Sequence, residues 1–86
     1  MKLKKAAQIK QRHLEAYEQA YADDKGPEIR GKGRIAGATV RWAIRAEWFD
    51  GDVTEEAVGE LTFKETQKLC DQIDAIYAEI TQIDPN

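Results

Sequence analysis

Thirteen consecutive residues, Gly37 to Phe49 (GATVRWAIRAEWF), hold both tryptophans of the chain, Trp42 and Trp48. Placed on a helical wheel at about 100° per residue, Ile35, Ala38, Val40, Trp42, Ala43, Ile44, Ala46, Trp48 and Phe49 spread over nearly the whole circumference. A helix that is apolar on most sides has to be buried on most sides. This segment is therefore expected at the centre of the fold, with the other elements packed onto it. Its one polar stripe is Arg34, Arg41 and Arg45, which lie within about 40° of one another on the wheel, bordered by Ile44 and Trp48.

The rest of the chain supplies helices of the amphipathic kind. Residues 2–22 contain no Gly or Pro and are rich in helix formers. Leu3, Ala6, Ala7, Ile9, Leu14, Tyr17, Ala20 and Tyr21 form a broad but light apolar arc, with Gln8, Gln11, Arg12, Glu15 and Gln19 opposite and Lys10 intruding. Asp23 to Ala36 (DDKGPEIRGKGRIA) holds three of the six glycines and one of the two prolines, which predicts a loop between the first two helices. Asp50-Gly51-Asp52-Val53-Thr54 predicts a turn, followed by a short helical turn within 55–60. Thr62-Phe63-Lys64-Glu65 has the T-x-x-E form of a capping box. It opens a helix whose Leu69, Cys70, Ile73, Ile76, Tyr77 and Ile80 share one face, with Pro85 marking the exit. The expectation is an all-α, single-domain protein spanning 1–86, with three main helices near 2–22, 36–49 and 63–82 and a Gly-rich loop between the first two. A chain of 86 residues can bury only a modest core.

No arrangement of residues predicts catalysis, a cofactor or a metal. His13 has no second His and no nearby Cys to converge with, and the single cysteine, Cys70, supplies neither a disulfide nor a zinc site. Gly26 to Gly33 matches the GxxxxGK spacing of a phosphate loop, but Gly33 stands where a Ser or Thr would hold magnesium, and a helix precedes it where a strand is required. A calcium loop starting at Asp50 would need glycine at Glu55 and glutamate at Leu61. The basic N-terminus MKLKKAAQIK has no apolar run after it, and no stretch approaches the roughly 20 apolar residues of a membrane helix. A soluble protein of the reducing cytoplasm is expected.

Charge is distributed unevenly. Up to Ala46 there are eleven Lys/Arg against five Asp/Glu, and beyond it two against eleven. Three accounts of the arginine stripe stay open: solvated arginines that pair with the acidic half, a protein-binding patch, since Trp and Arg together mark interface hot spots, or a nucleic-acid surface, which the net charge of −3 opposes.

VRWAIRAEWF, followed by EEAVGELTFKETQKLCDQIDAIYAEITQIDPN, resembles a group of small proteins encoded among the tail genes of long-tailed phages and prophages. The residues that carry the likeness are Val40, Arg41, Ala43, Ile44 and Trp48 of the middle helix, the link Val58-Gly59-Glu60-Leu61, and Leu69, Ile73, Tyr77, Glu79, Thr81, Pro85 and Asn86. QRHLEAYEQAY is a looser echo of the family's first helix. The resemblance implies a non-enzymatic tail assembly chaperone that holds a tail protein such as the tape measure soluble in the host cytoplasm. An amphipathic client helix lying in a groove suits such a role. Protein contacts are expected at Arg41, Ile44, Arg45, Trp48 and Phe49, with self-association compatible with the thin core. The alternative from another class is a small nucleic-acid-binding regulator using Lys2, Lys4, Lys5 and the basic segment from Arg30 to Arg45.

Overall fold

The computed structural model describes residues 1–82, and within them the chain is a small all-α domain. Three α-helices, α1 (Gln11–Asp23), α2 (Lys32–Arg45) and α3 (Phe63–Thr81), are joined through 3-10 turns at Gly26–Glu28 and Glu55–Glu60, and a further 3-10 turn, Ala6–Gln8, precedes α1. Pro85, expected to mark the exit of the last helix, lies outside the described residues, as does Asn86.

α2 is the central element, packed on α1, on α3 and on the Glu55–Glu60 turn. Gly33 lies by the ring of Phe63 and Thr39 by Cys70, so α2 and α3 run in the same direction. The Asp50–Thr54 turn and the Glu55–Glu60 segment carry the chain back to the start of α3, with Gly51 at φ 77° and Val58 buried against the core. Val40, Ala43, Trp48 and Ile73 are wholly buried, and Tyr17, Ala20, Trp42 and Phe49 complete the centre of the core.

Helix boundaries differ from expectation at three places, each for a local reason. The first helix begins at Gln11 rather than near residue 2, because the N-terminal residues are drawn into an extended pairing. Lys4 N–H donates to the Trp48 carbonyl and Asp50 N–H to the Lys2 carbonyl, both at 2.8 Å, around an antiparallel bridge between Leu3 and Phe49. Tertiary hydrogen bonds here override helix propensity. α2 begins at Lys32 rather than near residue 36, because Gly31 takes φ 93° as its N-cap, a conformation that favours glycine. α2 then ends at Arg45 and not at Phe49: Glu47 adopts φ 61°, its N–H donating to the Ile44 carbonyl (3.1 Å), while Trp48 N–H reaches back to the Ala43 carbonyl (2.9 Å). That pair of bonds is a Schellman C-cap, built on a glutamate in the left-handed position.

The start of α3 is as the T-x-x-E pattern predicts. Thr62 Oγ1 accepts from Glu65 N–H and Glu65 Oε1 accepts from Thr62 N–H, both at 3.1 Å. α1 uses a different acceptor at the equivalent place: His13 Nδ1 accepts from Lys10 N–H at 3.0 Å.

Candidate binding groove

The five residues expected to form a contact edge are not assembled into one. Trp48 is 0% exposed; its indole N–H donates to the His13 carbonyl at 2.9 Å and its ring stacks on Tyr17 with centroids 4.5 Å apart. Phe49 is buried beside Leu3. These two are core residues, because the Schellman cap turns the chain inward immediately after α2. Ile44 is half-buried against the core and Arg41 half-buried, its guanidinium lying close over Gly37.

Arg45 is committed within the fold. Its guanidinium meets Asp24 at 3.1 Å and Glu55 at 2.9 Å, and these hydrogen bonds, with Glu55 first, hold its pKa above the ordinary arginine value. Asp24 also accepts the Trp42 indole N–H at 2.8 Å, and the bonds from Arg45 and Trp42 hold its carboxyl below the usual range. Arg45 thus ties the end of α1 to α2 and to the return segment. In this respect the basic and acidic halves are joined internally, since Glu55 belongs to the acidic part.

The three helices leave a groove of about 620 Å³ between them. Tyr17, Thr39 and Trp42 are buried and form its floor, whereas Tyr21 and Ile35 stand at its mouth with 40% and 45% of their surface exposed. Four of the ten residues that line it are aromatic. Tyr21 meets Trp42 edge-on with centroids 5.0 Å apart (78°), Tyr17 meets the same indole at 6.3 Å (80°), and Tyr77 of α3 lies 5.6 Å from Tyr17. Edge-to-face is a preferred geometry for aromatic pairs, because the positive edge of one ring meets the negative face of the other. Gly26 is needed for space: a Cβ there would overlap the Tyr21 ring.

Two carboxylates complete the rim. Glu18 accepts the Tyr77 hydroxyl at 2.8 Å, and Asp74 lies one turn before Tyr77 on the same face of α3. The bond to Glu18, then burial, pushes the Tyr77 phenol up; burial likewise raises the Asp74 carboxyl, and burial raises the Cys70 thiol. Cys70 is buried and reduced, its sulfur 3.8 Å from an Asp74 oxygen. Among the described residues no group of three or more His, Cys, Asp or Glu could hold a metal ion, and no helix is long and apolar enough to cross a membrane.

The groove was only partly visible in the sequence. Tyr17, Tyr21 and Tyr77 fall on apolar faces, but that they converge on Trp42 follows from helix packing. The available signal was the choice of tyrosine, one turn apart at positions 17 and 21, where leucine would serve a simple core better: tyrosine keeps an amphipathic ring at a wet edge. No protein-family model matches the chain, and no curated protein or solved structure is significantly similar to it.

Proposed function

We propose that this chain is a non-enzymatic binding domain of the tail assembly chaperone kind, and that the groove between α1, α2 and α3 receives an apolar helical segment of its client, such as a stretch of tape-measure protein. The observation that carries the binding reading is the groove itself: about 620 Å³, floored by buried aromatic rings, with Tyr21 and Ile35 exposed at its mouth. Apolar, largely pre-formed clefts of this size are where ligands and partner helices bind. The tail-assembly part rests on the resemblance of the Val40–Trp48 segment and the last helix to phage tail-cluster proteins. Arg41 and Ile44, on α2 but outside the groove lining, remain candidate contacts, whereas Arg45 already has two internal partners.

The test is capture of the tape-measure product encoded in the same gene cluster by the purified chain. Tyr21→Ala and Ile35→Glu should each weaken capture about tenfold or more, as for central interface residues, with helical circular dichroism unchanged. Undiminished capture by both variants would remove the groove from the interface. Failure to bind any tail protein, combined with DNA binding that falls steeply with salt, would favour the nucleic-acid regulator instead.

A further inference from the structure

The rim of the groove carries charge of one sign. Glu18 from α1 and Asp74 from α3 line it, and among the described residues no Lys or Arg does. Neither carboxylate is in an ion pair among the described residues. An ionised carboxylate offers about four acceptor sites, yet Glu18 accepts one hydroxyl and Asp74 only a distant thiol. Asp24, just outside the groove, shows the contrast, since both an indole N–H and a guanidinium serve it.

Below the rim the surface is aromatic, so an occupant must be apolar at depth and cationic at the edge. Lysine and arginine have that form: an aliphatic stem that lies along apolar surface and a charge that reaches outward. Their cation is also attracted to the faces of Trp and Tyr. Tyr77 contributes to both levels, because its ring lies against Tyr17 while its hydroxyl holds Glu18.

We infer that the groove selects a client segment bearing a lysine, with the lysine stem against Tyr21 and Trp42 and its ammonium between Glu18 and Asp74. This inference rests on the groove being the docking surface. An apolar helix without charge and an acidic segment are the competing occupants.

Three phenyl-chain probes of equal length separate them: 4-phenylbutylamine, 4-phenylbutan-1-ol and 4-phenylbutyrate. Binding is followed through the Trp42 indole N–H resonance of the full chain. The amine is expected to bind about fivefold tighter than the alcohol, the size of one partly exposed ion pair with a cation–π contact, and the carboxylate weakest of the three. In the double variant Glu18→Gln/Asp74→Asn, which alters only exposed side chains, the amine should fall to the level of the alcohol. Equal binding of amine and alcohol to the native chain, or an amine preference that survives in the double variant, would overturn the inference and leave an uncharged apolar groove. If none of the three shifts the groove resonances at millimolar concentration, the lysine site is refuted, while the groove as docking surface is judged separately by client capture with Tyr21→Ala and Ile35→Glu. Preferred binding of the carboxylate would reverse the assigned sign.

Discussion

Trp48 and His13 form a single buried unit, since the Trp48 indole N–H donates to the His13 carbonyl and both side chains are nearly inaccessible. Truncating Trp48 to alanine removes the stacking on Tyr17 and leaves a large cavity, at a cost of about 3–5 kcal/mol. That is a large share of the roughly 5–15 kcal/mol that stabilises a typical domain. Trp48→Ala should therefore lower the denaturant midpoint sharply, and any loss of partner capture in it would report unfolding. His13 predicts a pH effect. Burial, then Lys4 and Arg12, lowers its pKa below the ordinary 6.5, while Nδ1 already accepts the Lys10 N–H and Nε2 is buried without a partner among the described residues. The unfolded chain takes up this proton before the folded one does, so the contribution of neutral His13 is complete above 6.5 and is lost as pH falls from there through the lowered value. Urea titrations between about pH 7 and 5 should show falling stability in the native chain. His13→Gln, which keeps an acceptor at the same helix position, should flatten that slope; an unchanged slope would assign it to other groups.

At the level of elements, the three helices and the start of α3 were legible because they depend on local chemistry: absence of breakers, apolar spacing and the Thr62/Glu65 capping box. The beginning of α1 was not, since Leu3 is claimed by Phe49, a partner remote in sequence. The end of α2 was hidden for a different reason. Schellman caps are usually announced by glycine at the left-handed position, and here that position is Glu47 at φ 61°, inside a run that reads as helix. A side chain in this conformation costs roughly 1–2 kcal/mol, partly offset by the greater freedom that glycine would lose on folding. Glu47 also pairs with Arg12 at 3.4 Å, but both side chains are about two-thirds exposed (69% and 65%), so the pair contributes little. Glu47→Gly should then raise stability by about 0.5–1 kcal/mol, whereas Glu47→Ala, which keeps the strained Cβ, should not. Thermal unfolding of the two variants side by side checks this; equal behaviour would mean that a Cβ at position 47 carries no strain that glycine relieves.

At the scale of the molecule, the groove exists only because α1, α2 and α3 bring residues from positions 17 to 77 together, so the local spacing of Tyr17 and Tyr21 hints at a wet aromatic edge but not at the groove. The same assembly explains why Trp48 and Phe49 do not stand on an accessible edge: the apolar circumference of Gly37–Phe49 marks the centre of the fold, and both residues are part of that centre. Asp74 connects the architecture to the proposed role. Partial desolvation at the rim raises its pKa above the ordinary 3.8, so the folded state holds the proton more tightly than the unfolded one. Below the unfolded value both states are protonated and nothing is lost; as pH rises through the raised folded value, ionised Asp74 becomes a net burden on the fold. Asp74→Asn should consequently be more stable than the native chain near neutral pH, by a modest amount because the side chain is exposed at the rim. The gain should vanish toward about pH 2.5, well below the unfolded aspartate value. Comparing denaturant midpoints of the two proteins at each pH isolates this effect from the acid loss expected of Asp24 and Glu65, whose pKa values are lowered. A carboxylate that weakens the empty domain yet sits at the mouth of an aromatic groove fits the exchange of stability for binding seen at functional sites: the substitution that strengthens the fold should be the one that loses the amine. If Asp74→Asn is neither more stable at neutral pH nor poorer at binding the amine, Asp74 belongs to the solvated surface and the selectivity of the groove must come from Glu18 alone.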